Sequence, residues 1–390
     1  MEFLSDVTVI ELGENISASA CTKWMAALGA SVIKIEAPGR GDPARRMGPF
    51  PNDDPHPEKS GMFLYLNTGK KGITLNLHTK EGQNIFRKII LKAYILIEDL
   101  GPGKMEDLGL GYDELEKTLP HLVYTSISPL GEKGPYSHFK TEDIVIEAAS
   151  GMMLQHGSPE REPLKIGGNI IYYRAGASAF MGSLAALFHA EATGEGQKVE
   201  VSIQECLLHD DFITVEAYLA RGEDVRRRLA PMLLPCNDGW FYIRAFPHEW
   251  PRLTQALGMP ELEKDDRFID MHRRSEHAEE LNTIILSQLG GQGKEEIYDK
   301  LQKNHITAGY LANVEDLFRS EQYQSHNYFI TIDHPVAGPL TYPGAFATME
   351  DIDWKHGRAP LLGEHNLEIL GHGLGYSQQD LVRLRQLGVI

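Results

Sequence analysis

The chain has 390 residues, with 38 Lys or Arg against 55 Asp or Glu and a net charge of −17. Its hydrophobic share of 42% and its charged share of 24% are typical of a globular protein. The length predicts about two domains at roughly 150 residues each. The excess of acidic residues disfavours binding to a phosphate backbone, so we expect no nucleic-acid partner.

The cysteines and the hydropathy pattern indicate the cellular compartment of the protein. Cys21, Cys206 and Cys236 lie far apart, which favours reduced thiols over a disulfide framework. The longest uncharged apolar stretch, at 175–188, is shorter than the ~20 residues of a membrane span. The first residues lack the basic segment of a secretory signal. We therefore expect a cytoplasmic protein without membrane contact.

The first third of the chain alternates between β-rich and helical segments. Strands are predicted at 7–12, 32–35, 73–77, 94–97 and 122–128, and helices at 18–28, 80–92 and 112–118. This alternation is typical of βαβ units, in which crossover helices join parallel strands. An α/β fold with an open parallel sheet is therefore predicted.

The pattern changes after residue 151. The next predicted elements are a long helix at 173–192, a strand at 198–202 and a helix at 204–219. A charged linker is predicted at 221–229, followed by a smaller α+β domain at 230–325. That domain has a predicted strand at 240–245 and predicted helices at 253–257, 277–289 and 294–301. Strand pairs separated by Pro335 and Pro343 follow, and then a final helix at 378–387.

Several short motifs have simpler explanations than a ligand site. The glycine-rich segment 109–111 follows no strand, and 290–294 lacks the Ser or Thr of a phosphate loop, so both are predicted to be turns. Cys206 and the polar residues 209–211 have no second cluster that would complete a metal site. We expect no bound metal.

A series of short strings along the chain resembles the class III CoA-transferases, the family of formyl-CoA and carnitine CoA-transferases. The strings are LGASVIKIE at 28–36, GDPAR at 41–45, EDLGPG at 98–103, TGEGQ at 193–197, NDGW at 237–240, DRF at 266–268, HPVAGP at 334–339 and LGEH at 362–365. Each string is weak alone. Their order and spacing over residues 4–390 identify the chain as a member of the family.

The resemblance implies a fold and an assembly. A large Rossmann-like domain would be built from both chain ends, 1–220 and 330–390, beside the small domain at 230–325. The implied dimer has an interlinked topology, with the two protomers joined like rings of a chain. The C-terminal tail would then return to the large domain.

The resemblance also implies a covalent mechanism whose nucleophile is missing here. In the family an Asp attacks the acyl-CoA thioester and later becomes an aspartyl-CoA thioester, so the attacking side chain needs a carbonyl carbon. That Asp stands four residues before a Gly that opens the Ala/Gly-rich helix. The Gly is Gly176 in this chain, and the residue four before it is Tyr172. Residues 163–190 contain no Asp or Glu that could restore the carboxylate.

By the same resemblance, the candidate CoA-binding residues are Ser17, Leu75, Asn76 and Lys140. Lys140 occupies a position that contacts CoA in the family, although a surface lysine at a helix start is an equally good interpretation.

Other positions depart from the family pattern. Ala37 and Asp107 stand where the family usually has basic residues, and Asp99 with Leu100 replaces an Asn-Phe pair. An acid at Asp107 would repel a CoA phosphate.

These features predict the non-catalytic subunit of a heteromeric class III CoA-transferase. A homologous partner would keep the Asp, in a heterodimer or heterotetramer. CoA thioesters would be substrates, and no cofactor would be permanently bound. A family member with two homologous subunits moves CoA from succinyl-CoA to benzylsuccinate in anaerobic toluene degradation, and we expect that role here.

Two alternatives stay open. One is a homodimeric enzyme resembling the family's acyl-CoA racemases, which need a His base with an Asp. Such relatives have His near the start of the first helix, where this chain has Asn15, Ile16 and Ser17, with His156 as a remote substitute. The other alternative is an inert acyl-CoA-binding regulator.

Overall fold

The computed structural model describes residues 3–158, 160–222 and 233–390. Most of the predicted linker at 221–229 therefore lies outside the described residues. The chain divides into two compact units. The first includes the described residues up to 157, then 161–222 and 329–390, and the second includes 233–328 with Ser158 and Glu160. Within the described ranges, no helix is long and apolar enough to cross a membrane.

A parallel sheet forms the centre of the first unit. Its strands are β1 (Thr8–Leu12), β2 (Ser31–Glu36), β3 (Lys71–Thr74), β4 (Ile95–Glu98), β5 (Val123–Ser128) and β6 (Lys198–Ser202). They lie in the order β3-β2-β1-β4-β5-β6, and all neighbouring pairs are parallel. The prediction of an α/β fold with an open parallel sheet is confirmed.

The helices follow the alternation expected of crossover connections. In chain order they are α1 (Ile16–Ala27), α2 (Gly61–Leu66), α3 (Lys80–Ile90), α4 (Lys104–Asp107), α5 (Tyr112–Leu115), α6 (Asp143–Ser150), α7 (Ile170–Thr193), α8 (Ile203–Asp210), α9 (Phe212–Arg221), α10 (Trp250–Ala256), α11 (Met271–Glu276), α12 (Ala278–Leu289), α13 (Lys294–Lys303), α14 (Val314–Arg319), α15 (Glu321–Ser325) and α16 (Gln378–Gln386). The first nine and α16 belong to the first unit, and the others belong to the second.

Two small antiparallel sheets complete the fold. The second unit contains β7 (Leu233–Cys236), β8 (Gly239–Ile243) and β9 (Ala308–Tyr310), in that order, around its own apolar core. The first unit contains the hairpin of β10 (Phe329–His334) and β11 (Gly338–Pro343).

The parallel sheet is buried on both faces. Val9 and Ile10 are neighbours on β1 and are both fully buried, but they belong to different clusters. Val9 packs with residues of α1 and α7, whereas Ile10 packs with residues of α3 and the C-terminal segment. Successive side chains of a strand point to opposite faces, so helices must cover both faces of this sheet.

Two predicted elements differ from the structure in their bounds. The strand predicted at 73–77 is β3 and stops at Thr74, because the N–H of Asn76 leaves the sheet and donates to the carbonyl of Val389 at 2.8 Å. The helix predicted at 204–219 is interrupted at Asp211, whose carboxylate accepts hydrogen bonds from Gln155 and Thr214, and the chain then continues as α9. Val389 and Gln155 are both far from these elements in the sequence.

Four charged side chains are buried together beneath the first turns of α1. The Nζ atom of Lys34 lies 2.6 Å from Glu11 Oε1 and 2.6 Å from Asp42 Oδ2. The Nζ atom of Lys70 lies 2.8 Å from Glu11 Oε2. Glu11 is therefore shared between two buried cations.

Glu11 also binds α1 directly. Its carboxylate accepts hydrogen bonds from the hydroxyls of Ser19 at 2.8 Å and Thr22 at 2.6 Å. Burial alone would raise the pKa of Glu11, but Lys34 and Lys70 outweigh burial and hold this pKa well below its usual range. Glu11 is thus ionised and fixes the position of α1 relative to the sheet.

We expect Glu11→Gln to lower the free energy of unfolding by about 3–5 kcal/mol, because it leaves two buried lysines without their shared counter-charge. Urea denaturation measures the change. Glu114→Gln is the matched control, since Glu114 forms an exposed pair with Lys117, and it should change the free energy of unfolding by less than about 1 kcal/mol. Equal effects of the two substitutions would contradict the central place of Glu11.

Candidate functional site

The carboxyl ends of β1 and β4 meet the start of α1. Asn15 caps this helix, with its side-chain oxygen accepting the N–H of Ile16 at 2.7 Å. Asp99, which follows β4, accepts the backbone N–H groups of Glu14 at 2.8 Å and of Asn15 and Ala18 at 3.1 Å. Burial raises the pKa of Asp99 to about 8, while the hydrogen bonds from these backbone N–H groups oppose the shift. Side-chain oxygens that accept such N–H groups stabilise a helix N-terminus. The acid that departs from the family pattern therefore stabilises the start of α1.

A cavity of about 590 Å³ opens beside this helix start, and we call it the Ser17 cavity. Its wall includes the loop 99–104, the segment 137–139 and Ser17 itself. Ser17 is fully buried, and its hydroxyl has no hydrogen-bond partner among the described residues. Because an unpaired buried hydroxyl costs free energy, a polar ligand atom would be favourable there.

The Ser17 cavity combines an apolar wall with a cation. Leu100, Ile127 and Phe139 contribute apolar surface. Lys104 is exposed in the first turn of α4 and forms no ion pair with any described residue. Asp107 lies at the other end of the same short helix and also lines the cavity. Lys104 is therefore available to a negatively charged ligand group.

Gly176 allows α7 to approach α1 closely. A Cβ atom at this position would lie 2.8 Å from the carbonyl oxygen of Ser17 and 3.0 Å from the Cβ of Ala20. Such contacts leave no room for a larger residue without movement of a helix. The close approach holds the first turn of α7, which contains Tyr172, beside the start of α1.

A second cavity, of about 600 Å³, lies at the starts of α1, α6 and α7, and we call it the Tyr172 cavity. Its polar lining comes from the segments 14–15 and 141–143, from Asn169 and from Tyr172. Asn15 and Pro129 line both cavities. The two cavities are therefore neighbours along the N-terminus of α1.

Tyr172 lies among carboxylates. Burial, followed by repulsion from Asp143 and Glu142, raises the pKa of Tyr172 to about 12, so its phenol is protonated at neutral pH. Lys165 lies 2.7 Å from Asp143 and lowers the pKa of that carboxyl. Glu14, Glu142 and Asp143 are cavity residues that no sequence motif revealed.

The predicted CoA-binding residues lie in different places. Ser17 lines the Ser17 cavity. Leu75 is buried in the core beside α3, and the side-chain amide of Asn76 donates to the carbonyl of Gly388 at 3.2 Å. Lys140 is exposed and follows the segment 137–139 that lines the cavity. Of the four residues, the structure thus brings Ser17 into a cavity wall.

The remaining sequence candidates have structural partners. Asp210 lies 2.9 Å from the guanidinium of Arg174. His156 lines neither cavity, and its Nδ1 atom lies 2.9 Å from the carbonyl of Met152. In the part of the chain that the structure describes, no group of three His, Cys, Asp or Glu side chains could hold a metal ion.

Comparison with known protein families identifies the family to which this chain belongs. The model of CoA-transferase family III matches residues 4–366. The chain belongs to CoA-transferase family III. The resemblance drawn from the short strings is confirmed, and acyl-CoA thioesters are the substrates typical of this family.

Relatives within CoA-transferase family III span nearly the whole chain. The succinyl-CoA–D-citramalate CoA-transferase of Chloroflexus aurantiacus is 32% identical over 99% of this chain and 98% of its own length. The BbsE subunit of succinyl-CoA:(R)-benzylsuccinate CoA-transferase from Thauera aromatica is 32% identical over 94% of this chain and 93% of its own length. The solved structure of a CAIB/BAIF family protein from Brucella suis is similar, with a TM-score of 0.84 and 27% identity. The match covers 94% of this chain and 98% of that protein.

Glu98 is a buried acid at the end of β4, directly before Asp99. Its carboxylate accepts the N–H of Leu100 at 2.9 Å. Burial raises the pKa of Glu98 to about 7, although hydrogen bonds from Ser126 and Leu100 partly oppose the shift. In the unfolded chain its pKa would be about 4.3. The folded state therefore retains this proton over a pH range in which the unfolded state releases it.

We expect Glu98→Gln to become stabilising relative to the original chain as the pH rises. The proton held by Glu98 favours folding below pH ~4.3, and this contribution is lost as the pH rises towards about 7. The difference between variant and original should grow by at most about 3 kcal/mol between pH 5 and pH 8. Urea denaturation across this range measures it, with the exposed Glu195→Gln as control. A difference independent of pH would contradict the buried, protonated state.

Proposed function

We propose that this chain is the non-catalytic subunit of a heteromeric class III CoA-transferase. The observation that supports this proposal most directly is Tyr172 at the start of α7, four residues before Gly176. In the family reaction, the group at this point must accept an acyl group and then form a thioester with CoA. A phenol has no carbonyl carbon, so Tyr172 cannot perform the second step.

The other acids of the Tyr172 cavity do not replace this nucleophile. Glu142 and Asp143 lie at the start of α6, and Glu14 lies before α1, so none of them projects from the first turn of α7. Asp143 is also paired with Lys165. We therefore assign no catalytic residue to this chain.

The Ser17 cavity is the proposed site for the CoA part of an acyl-CoA. Its apolar wall suits the pantetheine chain, the free hydroxyl of Ser17 can bind an amide, and Lys104 can bind a phosphate. Leu75, Asn76 and Lys140 remain predictions from the family resemblance. CoA thioesters enter as substrates, and no resident cofactor is proposed.

An exposed apolar stripe on α7 supports a protein partner. Ile170, Met181 and Phe188 are 43%, 63% and 76% exposed. At 100° per residue, their spacings place all three within about 20° of one helix face. A row of large apolar side chains is unfavourable in water, which indicates a surface that another chain covers. We propose that a homologous subunit with the Asp covers it, interlinked with this chain.

The relatives guide the choice of substrates. The two relatives at 32% identity both have succinyl-CoA in their names, and one is itself described as a subunit. We therefore propose succinyl-CoA as the donor and benzylsuccinate as the acceptor, in anaerobic aromatic degradation. A cytoplasmic location accords with the free thiols of Cys21, Cys206 and Cys236. The racemase alternative gains no support from His156, the substitute base that the sequence offered, because this residue lines neither cavity.

The proposal predicts that CoA transfer depends on a partner. The chain is expressed alone and together with a homologue that carries Asp in the position of Tyr172, and CoA transfer from succinyl-CoA to benzylsuccinate is measured. The complex should transfer CoA, whereas the chain alone should be slower by about a thousandfold or more, as expected without a nucleophile.

Two controls accompany this comparison. Tyr172→Phe in the complex should leave the transfer rate within about twofold, since the phenol performs no chemical step. Gel filtration should show a stable hetero-oligomer. Transfer by the chain alone at the rate of the complex would overturn the proposal.

A further inference from the structure

The charges of the Tyr172 cavity suggest a selection among acyl groups. Glu14 and Glu142 are exposed to the cavity, and Asp143 is partly exposed. The other described residues that line the cavity are uncharged, so this part of the chain contributes no cation to the lining. The lining as a whole is therefore acidic.

Two basic side chains near this lining are already paired with carboxylates. Lys165 is paired with Asp143 at 2.7 Å, and Arg174 is paired with Asp210 at 2.9 Å. Glu14 and Glu142 form no ion pair with any residue in the described ranges. These two carboxylates therefore face the cavity without a counter-charge.

The position of the Tyr172 cavity relative to the Ser17 cavity gives this charge a function. Among the described residues, the Ser17 hydroxyl has no hydrogen-bond partner and Lys104 has no ion pair, so the Ser17 cavity suits a polar, negatively charged ligand. Asn15 and Pro129 line both this cavity and the Tyr172 cavity, and we call the two neighbouring cavities together the groove. A thioester with its CoA part in the Ser17 cavity would extend its acyl group towards the acids.

We propose that the groove of this chain binds CoA thioesters whose acyl group carries no carboxylate and discriminates against thioesters of dicarboxylic acids, such as succinyl-CoA. The inference rests on the proposed function, because it requires the CoA part to bind in the Ser17 cavity. A terminal carboxylate roughly 6 Å from one unpaired glutamate would weaken binding by about tenfold at low salt. In the assembled enzyme, this repulsion directs the succinyl-CoA donor to the partner's site.

Calorimetric titration of the full chain, in the assembly in which it purifies, tests the selection. The binding of free CoA, butyryl-CoA and succinyl-CoA is compared at low salt. The Lys104→Ala variant gives the background binding to any other CoA site. Butyryl-CoA and succinyl-CoA have acyl chains of equal length and differ in the terminal carboxylate. We expect butyryl-CoA to bind about as tightly as CoA, and succinyl-CoA about tenfold more weakly.

Two paired variants give the decisive comparison. Glu14→Gln with Glu142→Gln should bring the affinity for succinyl-CoA to that for butyryl-CoA, with little change for butyryl-CoA. The control, Glu191→Gln with Glu195→Gln, removes the same charge at the far end of α7 and should preserve the selection. Added salt should also reduce the selection.

The possible failures are distinguishable. Equal binding of butyryl-CoA and succinyl-CoA would overturn the selection and leave the CoA site intact. If the double variant Glu14→Gln with Glu142→Gln still bound butyryl-CoA more tightly than succinyl-CoA, these two acids would not be the cause of the selection. If none of the three ligands bound this chain, both the selection and the proposed CoA site would be wrong. The proposal that this chain lacks the nucleophile would still stand.

Discussion

One buried carboxylate holds together the parts of the chain from which the candidate site is built. Glu11 lies between buried apolar residues of β1, pairs with Lys34 of β2 and Lys70 before β3, and accepts hydrogen bonds from two hydroxyls of α1. The start of α1 is thereby fixed at the carboxyl edge of the sheet. Both cavities open at that helix start, so their geometry depends on this buried charge cluster.

The close approach of two helices and a neighbouring cavity define the candidate site. Gly176 brings α7 onto α1, and the hydroxyl of Ser17, unpaired among the described residues, lines a cavity of suitable size for part of an acyl-CoA. At the first turn of α7, however, the chain presents a neutral phenol. Under the proposed function, this chain serves binding and assembly, and a homologous subunit performs the covalent chemistry.

Much of the sheet could be predicted from the sequence, because short apolar segments alternate with amphipathic helices. The end of β3 could not, since it depends on a hydrogen bond from Asn76 to Val389, at the other end of the chain. The acidic Tyr172 cavity was missed for a similar reason. Glu14 and Glu142 come from distant segments, and only the packing of α1, α6 and α7 brings them together. Local periodicity contains no information on such contacts.

The most direct test of the account is whether this chain ever carries an acyl group. The complex is incubated with succinyl-CoA and hydroxylamine, which converts an activated carboxylate into a hydroxamate, and both subunits are examined by mass spectrometry. We predict a hydroxamate on the partner subunit and none on this chain, including its peptides with Glu14, Glu142, Asp143 and Tyr172. A hydroxamate on any carboxylate of this chain would contradict the account.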